Sequence, residues 1–296
     1  VSDLVDYRSN DDDNFRWRGF PFRAGDIVIS TRSKHGTTWM QLICALLIHD
    51  GALPKPLGTL SPWLDHRVEP LEEVVGRLER QRRRRIIKTH TPLDGVPIDP
   101  RATYVVVARD PLDAAVSLYH QGFNLDRARI AQLSGQPPPA PTAPLDVATY
   151  LHRWIHAVRR PTESLESIDG VLWHLHDAWR RRDADANVVL VHYADLEAHR
   201  ERTIRSLAAN LRIDVSAALL RAVVAATDFT SMRDRANEFA PDRLGVLRDP
   251  ERFFRRGASG EGRTLIDATD YAHYERRIRD GVPAELASWL LRGGSV

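Results

Sequence analysis

The sequence predicts an α/β fold, a single domain over residues 1–296 in which a central parallel sheet is flanked by helices. Three features carry that expectation. Ile27-Val28-Ile29 and Tyr104-Val105-Val106-Val107 are unbroken apolar runs rich in β-branched residues, and strands without polar alternation belong to sheets covered on both faces. The first run leads through a short loop into apolar residues at helical spacing, giving strand, loop, helix. The same strand-then-helix pattern resumes after Gln136–Pro144, where five of nine residues are proline. That stretch cannot be regular structure and is predicted to be a surface loop inserted into one domain.

The elements follow in order. Asp26–Ser30 is the first strand and Thr37–His49 the helix after it; Ile86–Thr89 and Thr103–Ala108 are the second and third strands. Asp110 has the side chain of an N-cap and Pro111 suits the first helical position, so a helix is predicted through Ala114, Ser117 and Tyr119. A fourth strand, Asn187–Tyr193, feeds a helix from Asp195 to Leu211. From Ser216 onward the chain is mainly helical, interrupted by a loop at Pro241–Asp267.

Composition narrows the class. A 43% hydrophobic content suffices for a full core, and the longest apolar stretch, the seven residues Leu42–Ile48, is far too short to span a bilayer. The opening residues carry no basic and apolar leader, so a cytoplasmic address is expected. Cys44, the only cysteine, cannot form an internal disulfide. The 42 basic and 40 acidic residues nearly cancel, so no nucleic-acid partner is expected. The run Arg82–Arg85 is read as a solvated face rather than a phosphate grip, and Asp11–Asp13 as solvated loop. His152 and His156 have i, i+4 spacing but lack the Glu of H-E-x-x-H and a third ligand in sequence, so no metal site is expected there.

The chemistry concentrates in Thr31–Trp39, between the first strand and helix. Free N–H groups and the helix dipole make such a junction an anion site, Gly36 permits close approach, and Thr37 and Thr38 add hydroxyls. It is a phosphate cradle of P-loop-like order, but Lys34 precedes Gly36, whereas the nucleoside-triphosphate motif places its glycines before the lysine. An ATP- and magnesium-dependent kinase is therefore the runner-up, and a nucleic-acid module using Arg82–Arg85 the third reading.

Lys34-His35-Gly36-Thr37-Thr38-Trp39 resembles the Lys-Ser-Gly-Thr-Thr-Trp loop of the cytosolic sulfotransferase family, and further segments resemble that family in the same order. They are Ile87–His90; Arg109 with Ser117; Tyr193-Ala194-Asp195; Thr227-Asp228-Phe229 with Met232; and Phe254-Arg255-Arg256-Gly257 with Gly260. Ser61–Asp65, Thr91–Gly95 and Glu251–Gly257 look most like mycobacterial glycolipid sulfotransferases. The resemblance implies transfer of a sulfuryl group from 3′-phosphoadenosine 5′-phosphosulfate (PAPS) to an acceptor hydroxyl. It implies that Lys34, His35, Gly36, Thr37, Thr38 and Trp39 cradle the phosphosulfate, and that Arg109, Ser117, Arg255, Arg256 and Gly257 hold the 3′-phosphate. Thr227, Phe229 and Met232 would contact adenine, with Tyr193 and Phe254 completing the cofactor site.

His90, at the carboxyl edge of its strand, has the residue type of a general base, while Lys34 and Lys88 suit stabilisation of developing charge without a metal. The acceptor is expected to be a lipid-linked sugar, with a phenol or small alcohol second, in a pocket around Trp63 and Phe123–Tyr150. Two departures stand out: His35 replaces the family serine, and Glu261-Gly262-Arg263 stands where Asp-Trp-Lys is usual. The usual dimer motif has no counterpart, which leaves the oligomeric state open.

Overall fold

The structure is a computed structural model that describes residues 4–137, 140, 143–184 and 187–294. Pro138, Pro139, Pro141 and Thr142 of the predicted 136–144 loop lie outside those residues. Four strands form one parallel sheet in the order β2-β1-β3-β4, with β1 at Ile27–Ser30, β2 at Ile86–Thr89, β3 at Thr103–Ala108 and β4 at Val188–His192. Successive strand residues point to opposite faces. Ile27, Ile29, Val105, Val107 and Val191 therefore enter one core, and Val28, Ile87, Tyr104, Val106 and Val188 the other. Both faces are covered, which is why the strands show no polar alternation in sequence.

The helix Thr37–Ile48 is buried along its whole length, so its sequence is apolar all round rather than striped. The helix Pro111–Asn124 starts as predicted, with the Asp110 carboxylate accepting from the Leu112 N–H at 2.8 Å and Pro111 at its first position. Two expectations are corrected. Tyr193 opens the helix Tyr193–Ala198 instead of closing β4, and the helix predicted to run to Leu211 is broken at His199 (φ −138°, ψ 44°) before restarting as Arg200–Asn210. The predicted Pro241–Asp267 loop holds two single-turn helices, Pro250–Phe253 and Glu261–Thr264.

Only half of the arginine run is a solvated face: Arg82 and Arg83 are exposed, Arg84 is half-buried and Arg85 is buried. Arg85 is buried in a two-pronged ion pair with Asp26, at 2.8 and 2.5 Å. Arg84 donates to the carbonyls of Gly25 and Leu211, and Arg83 to the Ile48 carbonyl and, at 2.8 Å, Asp50. These arginines join the amino ends of β1 and β2 to their surroundings. Among the described residues no helix is long and apolar enough to cross a membrane.

Candidate active site

A cavity of about 600 Å³ opens at the carboxyl edge of the sheet. That is where loops after parallel strands converge and where ligands of open α/β sheets bind. Its floor is the loop after β1. Lys34 (φ 64°) and Gly36 (φ 109°) both adopt left-handed backbone, and a Cβ on Gly36 would stand 3.1 Å from the Tyr193 ring, so glycine is required there. Among the described residues no side chain caps the helix that begins at Thr37, and the Thr37 hydroxyl is buried without a partner. Uncapped N–H groups, the positive end of the helix dipole and an unused hydroxyl face the cavity together.

Four cations gather around this floor. Lys34 lies 3.9 Å above the Phe253 ring, and burial together with the charges of Arg109, Lys88 and Arg255 lowers its pKa to about 7. Lys88, from β2, lies 3.9 Å over the Trp63 ring, and burial lowers it to about 8. Arg109, just after β3, donates to the carbonyls of Lys34 (3.3 Å) and Ala258 (3.0 Å), tying the cradle to the glycine-bearing loop that starts at Phe254. Arg255 comes from that loop, paired with Glu261, which also lies 3.6 Å from Arg256. Mutual repulsion among fixed cations makes the cavity a site for an anion.

His90 follows β2. Its Nδ1 contacts the Thr31 carbonyl, which can only accept, so Nδ1 carries the proton and Nε2 keeps its lone pair. Burial, then Lys88 and Arg32, hold its pKa well below the ordinary 6.5. The ring is therefore neutral at pH 7 and packs edge-on against Trp63, with centroids 4.4 Å apart.

Of the predicted site residues, Lys34, Gly36, Thr37, Thr38, Trp39, Lys88, His90, Arg109, Ser117, Tyr193, Phe229, Met232, Phe254, Arg255, Arg256 and Gly257 all line this one cavity. Two do not face it. His35 points into the interior, with Nδ1 3.0 Å from the Ser33 carbonyl, and burial drives its pKa down to about 3. It is a neutral structural side chain at the position where a serine hydroxyl was expected to be missed. Thr227 is fully buried; its hydroxyl bonds the Val223 carbonyl at 2.7 Å, and its own carbonyl accepts from the Trp39 indole at 2.9 Å. Its carbonyl thereby holds the Trp39 indole in place.

Sequence reasoning missed three residues that organise the site. Asp113, in the first turn of the Pro111–Asn124 helix, accepts from the N–H groups of Gly260 (2.6 Å) and Gly262 (2.8 Å) and so anchors the glycine-bearing loop. Arg32 donates to the His90 carbonyl and, at 2.7 Å, to Glu166, whose same oxygen takes the Ser33 hydroxyl at 2.8 Å. Trp63, beside Lys88 and His90, also lines the cavity, as do Leu125 and Ile130 from the stretch Phe123–Tyr150, joined by Leu244, Val246 and Leu247. Phe123 is instead exposed, and Tyr150 packs against Tyr119 at 5.3 Å.

Comparison with known proteins agrees with this architecture. The chain is 38% identical over 314 residues to the glycolipid sulfotransferase of Mycobacterium bovis, an alignment covering 99% of this chain and 96% of that protein. It is 37% identical over 313 residues to the glycolipid sulfotransferase of Mycobacterium tuberculosis, with the same coverages. Mouse sulfotransferase SULT7A1, solved with PAP, shares the fold at a TM-score of 0.68 and 18% identity, covering 94% of this chain and 92% of that one. A retinol dehydratase solved with retinol and PAP also superposes at 0.68, with 20% identity and coverages of 90% and 83%. Residues 24–283 match the sulfotransferase domain, and with near-full-length identity to two sulfotransferases the chain belongs to that family.

Proposed function

We infer that the protein transfers the sulfuryl group of PAPS to a hydroxyl of a glycolipid. The observation that carries this reading is the convergence of Lys34, Lys88, Arg109 and Arg255 on one cavity, beside a helix start and a Thr37 hydroxyl that have no side-chain cap or partner among the described residues. That donor set fits a nucleotide with anionic groups at both ends. The cradle takes the phosphosulfate, and Arg109, Ser117, Arg255, Arg256 and the backbone at Gly257 take the 3′-phosphate, guanidinium forks being suited to phosphate oxygens. Trp39, Tyr193, Phe229, Met232 and Phe254 wall the adenine.

PAPS supplies an activated sulfuryl group: the acceptor oxygen bonds to sulfur as the bridge to phosphate breaks, leaving PAP. His90 takes the hydroxyl proton on Nε2. Lys34 and Lys88 balance the negative charge that grows on the leaving phosphate and the sulfuryl oxygens, an electrostatic role best played in a water-poor site.

The acceptor class is supported by the two mycobacterial relatives, both glycolipid sulfotransferases, and by the apolar wall of Trp63, Leu125, Ile130 and Leu247, which suits a lipid-bearing molecule. A cytoplasmic address goes with this reading. The test is transfer of label from PAPS to extracted glycolipids, run beside a panel of phenols and small alcohols. Label in a glycolipid is expected; label only in phenols overturns the acceptor, and label nowhere overturns the transfer.

A further inference from the structure

Away from the cavity, three side chains converge on the outer face of the molecule. His152 and His156 lie one turn apart near the end of the helix Val147–His156, and the spacing puts both on one face. Asp270, in the first turn of the helix Ala268–Gly281, meets them there: its carboxylate lies 2.9 Å from His152 Nδ1 and 2.9 Å from His156 Nε2. The three ligating atoms all lie within 4.8 Å of one another. The third ligand that the sequence did not offer thus comes from 114 residues further along.

We propose that His152, His156 and Asp270 form a site for a divalent transition ion of the zinc type, which clamps the two helices together. Two imidazoles and one carboxylate suit zinc, whereas calcium and magnesium take oxygen ligands. A tetrahedral ion at about 2.0–2.1 Å from each ligand spaces them roughly 3.4 Å apart. The two contacts to Asp270 need open by only about half an ångström to admit it. The ion replaces the protons that now bridge the imidazoles and the carboxylate.

The surroundings favour a cation. His156 ends its helix, where the dipole is negative. The side chains of His152 and His156 are 59% and 41% exposed, so the fourth position is open to water. Asp270 is fixed through its N–H by Asp267 at 2.8 Å, and the His273 ring lies flat against His156 with centroids 4.3 Å apart. The nearby Arg277 does not compete for Asp270. It is committed to the carbonyls of Ile155 and Ala157 and to Asp169, at 2.6–2.7 Å.

The test uses the full chain free of any affinity tag and stripped with a chelator. Calorimetry with zinc chloride is expected to show one more bound ion per chain in the parent than in the His152→Ala, His156→Ala double variant. Zinc at about a hundred times its Kd should raise the parent Tm by about 5 °C or more and leave that of the variant in place. Both substitutions fall on exposed side chains outside the cavity, and turnover of PAPS at the parent's rate checks that the variant is folded. Cobalt substituted for zinc should give the intense visible bands of a four-coordinate site. Equal zinc stoichiometry in parent and variant, or the same Tm response in both, overturns the proposal.

Discussion

At the residue scale the site sets two pKa patterns against each other. His90 is held neutral, with Nδ1 pinned to the Thr31 carbonyl and Nε2 turned to the cavity. If Nε2 accepts the acceptor's proton, His90→Gln should keep PAP affinity within a few fold yet lose transfer by about 10²–10⁴-fold. Because burial holds His90 below 6.5, the acid limb of the parent's pH profile should lie below that value and vanish in the variant. A variant that turns over at the parent rate with its acid limb intact makes His90 structural. The lysines are lowered by burial as well, but it is their charged form that binds. Lys34 and Lys88 are depressed to about 7 and 8, and a bound anion holds both protonated, so each has a higher pKa in the complex than in the free protein. Binding then takes up protons, and PAP affinity is greatest below pH 7 and falls as pH rises through 7 and 8, by up to about tenfold per unit for each lysine. Calorimetry between about pH 6.5 and about pH 9 reads this directly, and a flat profile counts against it.

At the element scale, what was legible in the sequence was whatever one contiguous segment carries. The four strands emerge within a residue of their predicted ends because unbroken β-branched runs have few other uses, and the cradle was legible because Lys34, Gly36 and the threonines are adjacent. The break at His199 was not, since the apolar spacing on either side continues through it and only the backbone turn at that residue separates the two helices. Nor were the pairs made by folding, such as Glu166 with Arg32 or Asp113 with Gly260, which lie more than a hundred residues apart. Asp113 carries a prediction of its own. Its carboxylate satisfies two N–H groups of the loop that brings Arg255, Arg256 and Gly257 to the cavity, and Gly257 is so close to the Phe229 ring that a Cβ would lie 2.1 Å from it. Asp113→Ala leaves both donors unpaired, and hydrogen bonds to a charged group are worth about 1.5–3 kcal/mol each. PAP affinity should fall at least tenfold while AMP, which lacks the 3′-phosphate, binds nearly as before. Asp113→Asn, which keeps one acceptor, should recover part of the loss; equal losses for PAP and AMP would mean general unfolding rather than a loosened loop.

At the scale of the whole molecule, chemistry and stability sit at opposite edges of one sheet. The cavity is built where the strands end, at Lys34, His90 and Arg109; the amino edge is fastened by Asp26 and Arg85, the residues just before β1 and β2, whose first residues Ile27 and Ile86 are paired. Both side chains are about 1% exposed, and Asp26 also takes the Arg23 N–H at 2.8 Å while Arg85 donates to the Pro21 carbonyl at 2.7 Å. An arginine in a run of four is read from sequence as solvated, and what puts this one inside is its position immediately before β2, where the facing residue, just ahead of the inner strand β1, is an aspartate. Removing one member of such a pair strands the other charge in the interior, at about 3–5 kcal/mol, a large share of the roughly 5–15 kcal/mol that holds a domain folded. Arg85→Met should therefore move the urea midpoint sharply down, whereas Arg85→Met combined with Asp26→Leu, which leaves no unpaired charge, should regain much of it. Because the staple lies across the sheet from the cavity, the folded fraction of either variant should bind PAP with the parent's affinity. Loss of PAP affinity in a fully folded Arg85→Met would show that the two edges are coupled, and would place the pair in the binding machinery.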